Sequence, residues 1–392
     1  MRDVFKIAAL VLLAALRTAT AGGIEVTVLT IDGEERKETL AESNAGLKLE
    51  GTTALKDVAE ITLAPRSAPA PGNALYLRNG DVLYNIKIVS GDDSKVKITT
   101  ESAGALTIDN KFIHAFTFSG KDRPSSEAIN DFLKGAKSKE DLLLLPKGDT
   151  NSGYVEKFSD KEVTFNAGGQ TRAHAFEAVA ALRLAPLEDL KAVTDPVATV
   201  ELRDGSRITG KITALAEKTL KIETLTAQTW PVAIDSVSSI EFKGGKLVYV
   251  SDLAPASVEQ KPFVGGVPLI YKWRKDKSAT GGKLSSATKE YERGIGVHSY
   301  CKLTYELGGQ FAKFMSDAAL DNAAPSGTEA SWKVLVDGKT VAEGVAKSGE
   351  KPQAINVDVK GAQKLELICD YGPDASDAGD LLNWGGARLI KP

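Results

Sequence analysis

The sequence predicts a mainly β protein in which repeated small barrel-like units are followed by a jelly-roll sandwich. Three observations point there. A leucine, turn and strand pattern recurs four times between Gly22 and Lys246. The 36 glycines and 15 prolines suit many short strands joined by tight turns. Beyond Leu247 the repeat stops and a new alternating pattern supplies about eight more strands.

At 392 residues the chain is too long for one ordinary core and predicts several domains. Hydrophobic content of 42%, charged content of 26% and a formal net charge of −3 fit a soluble globular protein. An acidic balance without a basic stripe gives no electrostatic reason to expect a nucleic-acid partner.

Residues 1–21 read as a secretory signal peptide. Arg2 and Lys6 precede the apolar run Ile7–Leu16, and Ala19-Thr20-Ala21 supplies small residues at a cleavage site. The run is too short to span a bilayer, and no later stretch is longer, so membrane insertion is not expected. Asp3 and Arg17 depart from the usual pattern, and a retained amphipathic anchor is the alternative. The mature protein is expected to be secreted, or to lie in the periplasm or cell envelope.

The repeats follow as two pairs, 22–120 and 145–246. Their first halves are "LTIDGEERKETLAESNAGLKL" from Leu29, "LRNGDVLYNIKIVSGDDSKVKI" from Leu77, "LPKGDTNSGYVEKFSDKEVTF" from Leu145 and "LRDGSRITGKITALAEKTLKI" from Leu202. Each closes on a second signature: "VAEITL" at Val58, "IHAFTF" at Ile113, "VAALRL" at Val179 and "VSSIEF" at Val237. Units of this size cannot bury much alone and must close into small barrels or pack against one another. The stretch "VELRDGSRITGKI" resembles the first half of the Sm-like and SH3-like small barrels. The RNA binding of Sm-like proteins is not expected of an exported acidic chain; a spacer or protein-contact role is.

Between the pairs, 121–144 predicts one short helix. Ser125 or Ser126 is the N-cap, Ile129, Phe132 and Leu133 share a face, and Gly135 ends it. Ser67–Gly72 and Leu187–Ala198 read as linkers.

In the last domain, 247–392, strands are predicted at Lys302–Leu307, Phe311–Ala318, Ser331–Val336, Lys339–Gly344, Ala354–Val359, Lys364–Tyr371 and Ala387–Ile390. Asp337-Gly338 marks a hairpin turn. Cys301 shares its parity with Leu303, Tyr305 and Leu307, and Cys369 with Leu365, Leu367 and Tyr371, so both point inward. An exported chain would allow a disulfide between them; two buried free thiols fit equally.

The order "KEYERGIGVHSYCKLTYELGGQFAKFMSDAALD", "WKVLVDGK" and "NWGGARLI" resembles the NPCBM family, which includes the family 51 carbohydrate-binding modules of family 98 glycoside hydrolases. The resemblance spans 247–391. It implies a galactose-binding-like jelly roll whose partner is a glycan or polysaccharide, often one containing galactose. One stretch departs from the family: where its tail resembles Asp-His-x-Asp-Trp, this chain has Leu381 and Asn383 in "DLLNW".

A sugar site needs an aromatic face for the pyranose and fixed polar groups for its hydroxyls. The candidates are Trp273, His298, Asp321, Asp380, Trp384 and Arg388. Trp273, beside Tyr271, Lys272 and Arg274, is the aromatic expected to be exposed. His298 follows Gly294 and Gly296 in "RGIGVHSY" and is either a structural hydrogen bonder or a ligand contact. Trp384 is read as core or as a binding face, and Trp332 as core. Asp321, Asn322 and Asp380 fall in turns, as solvated acids or as ligands of sugar or a structural calcium. Arg388 would pair with an acid or a ligand. No other cofactor is expected. The other histidines, His114 and His174, sit in "HAF" triplets at different registers and form no triad.

These readings favour a secreted, non-catalytic carbohydrate-binding protein. An extracellular or envelope scaffold protein is the alternative, with a cryptic glycosidase behind both.

Overall fold

The computed structural model describes residues 23–65, 72–187, 197–243 and 245–392. The expected export segment and most of both linkers lie outside the described residues. Strands dominate, and among the described residues the one α-helix is Ser126–Lys134.

The four repeats share one antiparallel plan, which the first builds with four strands: Gly23–Thr30, Glu35–Ala41, Lys48–Glu50 and Val58–Thr62. In the fourth, Val197–Leu202 pairs with Arg207–Ala216, which pairs with Thr219–Thr224 and then Thr229–Ala233. The closing strand Val237–Lys243 returns to the other side of Val197–Leu202. A single 3-10 turn precedes each closing strand: Leu55–Asp57, Asn110–Phe112, Phe176–Ala178 and Ile234–Ser236. This five-strand order with its late 3-10 turn is that of an SH3-like small barrel.

The first turn of every unit has one geometry. Leu202 N–H donates to the Ser206 carbonyl at 2.8 Å and Gly205 N–H to the Leu202 carbonyl at 3.0 Å. The same two bonds recur around Gly80 and Gly148, and around Gly33 in the first unit, where Thr30 rather than Leu29 holds the leucine's place. All four glycines have φ between +86° and +95°, a backbone that a side chain would strain. The second strands of units two, three and four each carry a bulge, at Ile88/Ser90, Val155/Lys157 and Ile212/Ala214. Such bulges bend the strand enough for it to serve both layers of a small barrel.

The units associate through their closing strands, first with fourth and second with third. Ile61 lies opposite Ile240, and Phe116 opposite Leu182. All four side chains are fully buried and belong to one continuous core that runs through the four units. Each is worth roughly 1.5–3 kcal/mol of transfer free energy. The third unit starts at Asp141, since Asp141–Leu144 is its first strand.

The helix between units two and three is capped as its sequence predicts. Ser125 Oγ accepts from Ala128 N–H at 3.2 Å, and Ile129 and Leu133 face inward. Its C-terminal carbonyls are taken by Arg183, which donates to Phe132 and Ala136, and by His114 at 2.9 Å from the Leu133 oxygen. The two cationic or N–H-bearing side chains complement the end where helix carbonyls lack partners.

The C-terminal domain is a two-sheet sandwich. One sheet orders Ser257–Gln260, Cys301–Glu306, Lys364–Tyr371, Glu329–Val336 and Lys339–Lys347. The facing sheet orders Arg274–Lys275, Gly294–His298, Leu381–Ile390, Lys313–Leu320 and Gln353–Asp358, with Leu247–Tyr249 also on Leu381–Ile390. Asp337 and Gly338 make the expected hairpin with φ of +48° and +78°. The inward parity of "CKLTYEL" holds, with Cys301, Leu303, Tyr305 and Leu307 at 2% exposure or less.

The sandwich is docked on the first and fourth barrels. Ile31 and Ala59 pack with Leu247, Tyr249, Met315 and Ile390. Lys313 pairs with Asp32 at 3.8 Å, and Arg293 reaches Glu241 at 3.6 Å.

Candidate functional site

The segment between Gln260 and Trp273, "KPFVGGVPLIYK", crosses one end of the sandwich without forming a strand. Two prolines and two adjacent glycines deny it a ladder. Its apolar side chains therefore stay in solvent: Phe263 is 48% exposed, Val264 60% and Ile270 83%. A group of that size on a surface marks a contact site.

Beneath this segment lies a pocket of about 280 Å³. Phe263, Ile270 and Tyr271 form its apolar side, and His298, Ser299 and Asp377 its polar side. The Tyr271 and His298 rings lie 5.0 Å apart at a tilt of 38°. Phe263 meets Tyr371 edge to face at 5.0 Å. His298 enters on strand Gly294–His298, which Leu381–Ile390 holds in register (His298 opposite Leu381). Its Nδ1 lies 2.8 Å from the Ser299 carbonyl, and the Asp377 carbonyl also reaches the ring. Burial lowers its pKa despite both carbonyls, so the imidazole is neutral near pH 7. With its nitrogens turned to the backbone, the ring's offering to a ligand is an aromatic edge beside Tyr271.

Behind the pocket, Asp380 is fully buried and accepts a 2.5 Å hydrogen bond from Ser299 Oγ. Its other oxygen has no hydrogen-bond partner. Burial pushes its pKa up to about 7, against the Ser299 bond and helped by Asp374, Asp377 and Asp370. A carboxyl raised this way suits a general acid, but Asp380 is fully buried beneath Ser299. It instead makes stability depend on pH. Its folded pKa lies above the ordinary 3.8, so its contribution is fully present below that value and lost as pH rises through about 7. Asp380→Asn removes the proton while keeping an acceptor for Ser299. Urea denaturation should show the variant gaining on the parent between pH 4 and 8, by on the order of 2–4 kcal/mol in total. Equal pH profiles would refute this account of Asp380.

The remaining candidates lie elsewhere. Trp273 was expected to be exposed, but it is half-buried and packs on the sandwich core, its backbone N–H donating to Gln260 Oε1 at 3.3 Å. Trp384 is fully buried, edge to face with Trp332 at 6.1 Å, which leaves no face for a sugar. The expected loop "DLLNW" is instead the start of the central strand Leu381–Ile390, so Leu381 and Asn383 point into the protein.

Asp321 is not a solvated turn acid. At 4% exposure it accepts from Ser285 N and Oγ, from Ala323 N, and from Asn383 Nδ2 at 2.7 Å. Asp321 and Asp380 have separate hydrogen-bond partners. Among the described residues, no group of three or more His, Cys, Asp or Glu side chains is placed to hold a metal ion.

Arg388 faces the barrels rather than a ligand. Its Nε donates to the Ile31 carbonyl at 3.3 Å, and its guanidinium fills the space where Gly33 would carry a Cβ. Cys301 and Cys369 sit directly opposite on paired strands as free, buried thiols rather than a disulfide. Burial pushes the Cys301 thiol up to about 12 and Cys369 well above its usual range, so both are inert.

Of the six candidates, His298 lines the pocket; Phe263, Tyr271 and Asp377, which line it too, were not among them. The available signal was an apolar stretch with no period, broken by Pro and Gly, which forces large side chains into solvent.

A search of curated proteins finds no match. Among solved structures, the chain is similar to a family 51 carbohydrate-binding module from a Clostridium perfringens GH95 protein, in complex with methyl-galactose. The identity is 24% and the TM-score 0.33, over 37% of this chain and 99% of that one. It is also similar to a second such module with its INT domains from Clostridium perfringens ZmpB, in complex with GlcNAc. There the identity is 20% and the TM-score 0.33, over 50% of this chain and 48% of that one. A third likeness is to the tandem modules of the family 98 glycoside hydrolase of Streptococcus pneumoniae SP3-BS71, at 14% identity and TM-score 0.32. It covers 94% of this chain and 88% of that one. The chain thus spans about half the length of that ZmpB structure. Residues 246–390 match the family model of the NPCBM/NEW2 domain, which sets the family likeness on the jelly roll and leaves the four barrels outside it.

Proposed function

We propose that the jelly roll binds a glycan in the pocket under Phe263 and Tyr271, and that the chain is an exported, non-catalytic glycan-binding protein. The observation that carries this reading is the pairing of exposed aromatic surface with His298, Ser299 and Asp377 in one concave site. Phe263 and Tyr271 suit the apolar face of a pyranose, and Asp377 suits its hydroxyls. Galactose-containing glycans are the first class to test, given the domain family matched over 246–390. The four barrels then serve as a base that holds the roll.

The very exposed Ile270 and Val264 favour a second reading, in which the same surface contacts another protein in the envelope. A glycan array with the full chain separates the two. Binding to a defined glycan class, weakened about tenfold or more by Tyr271→Ala or Phe263→Ala at unchanged melting temperature, supports glycan recognition. Silence across galactosides and other common glycans supports the scaffold reading. Release of reducing sugar that a single carboxylate substitution abolishes would overturn both.

A further inference from the structure

The first and fourth barrels touch along two seams, and a groove of about 510 Å³ remains between them. One seam is the pairing of closing strands, with Ile61 opposite Ile240. The other runs along strand Arg207–Ala216: Ser43 and Leu215 exchange backbone hydrogen bonds at 2.7 and 2.8 Å, and Gly46 N–H donates to the Thr213 carbonyl at 2.7 Å. The groove's inner surface is apolar. Ile31, Leu47 and Val58 are each at most 8% exposed there, and Ile212 and Phe242 add further apolar lining.

Lys56, Lys211 and Lys246 also line it, and all three are exposed. No carboxylate lines the groove. None of the three ammonium groups has an ion-pair partner among the described residues. The apolar floor of the groove lacks packing partners on its open side and so forfeits dispersion there. Its volume falls within the ~300–1,000 Å³ of small-ligand sites. Three unpaired cations around a concave, low-dielectric surface select for negative charge.

We propose that this groove binds an amphipathic carboxylate of the medium-chain fatty-acid type. The chain lies along Ile31, Leu47, Val58, Ile212 and Phe242, and the head sits among the three lysines. The groove shares no lining residue with the jelly-roll pocket, so the proposal stands apart from glycan recognition.

Titration calorimetry of the full chain with decanoate below its micellar concentration, and with decanol as the uncharged counterpart, tests it. Decanoate should bind one saturable site and raise the melting temperature, with decanol about tenfold weaker or worse. Combining Lys56→Ser, Lys211→Ser and Lys246→Ser should weaken decanoate about tenfold and leave decanol unchanged. Ala45→Trp, at an exposed lining position, should block both ligands in a protein of unchanged circular dichroism. The absence of saturable heat, a lowered melting temperature, equal affinity for acid and alcohol, or parental decanoate binding by the lysine variant would each overturn the proposal.

Discussion

Asn383→Asp is expected to lose about 3–5 kcal/mol of stability at neutral pH, through one misplaced charge in the heart of the jelly roll. Asn383 is 1% exposed, and its Nδ2 donates to Asp321 Oδ2 at 2.7 Å and to the Ser285 carbonyl at 2.9 Å. An aspartate there offers neither donor. It faces Asp321 with a second carboxylate and leaves the Ser285 oxygen without that bond. Two buried carboxylates at such a distance cannot both ionise, so one holds a proton and its pKa rises. The penalty should therefore shrink as pH falls toward 4, because the protonated pair regains a hydrogen bond. Urea denaturation of parent and variant between pH 4 and 8 measures it. A loss below about 1 kcal/mol at pH 7.5 would mean that the Asn383 hydrogen bond to Asp321 carries little of the stability.

That residue also shows where a sequence stops being legible. The roll's strands could be read from parity alone, because a half-buried strand repeats every two residues and "CKLTYEL" and "LELICDY" keep that period. "DLLNWGG" hides its nature: a strand central to its sheet and buried on both faces has no polar alternation, so it reads as a loop. The repeats could be aligned through their leucines and glycines, since the turn needs a positive φ at one place. The 3-10 turns could not, because "LKD", "NKF", "FEA" and "IDS" share a position and no residue type. The pairing of first with fourth unit was equally hidden, as closing strands of similar sequence carry no mark of their partner. At the pocket, His298 stood out because histidine is rare in this chain, whereas Tyr271 and Phe263 come to line it only through the path their segment takes.

Arg293→Met is expected to cost about 2–4 kcal/mol and to loosen the roll from the barrels. Arg293 N–H groups meet Asp276 at 2.8 Å and Asp252 at 2.5 Å, its Nε lies 3.6 Å from Glu241, and its guanidinium covers the Tyr249 ring at 4.9 Å. Burial alone would weaken this charge, but the three carboxylates overcome it and hold the proton more tightly than usual. The seam already has acid to spare. Glu60 lies opposite Glu241 on the paired closing strands, and burial, Glu241 and Glu292 together push its pKa up to about 7. Arg293 sets a cation against this excess, reaching from the roll to the fourth barrel. Methionine keeps much of the side chain's bulk over Tyr249 but removes the cation 3.6 Å from Glu241, which lies opposite Glu60. Asp252 is partly exposed, so water recovers part of its loss, which keeps the figure below that of a sealed ion pair. The variant should unfold in two separated thermal transitions where the parent shows one, and the separation should narrow when Glu241→Gln is added. A single unshifted transition would place the hold between roll and barrels in the Ile31, Ala59, Tyr249 and Ile390 cluster rather than in this arginine.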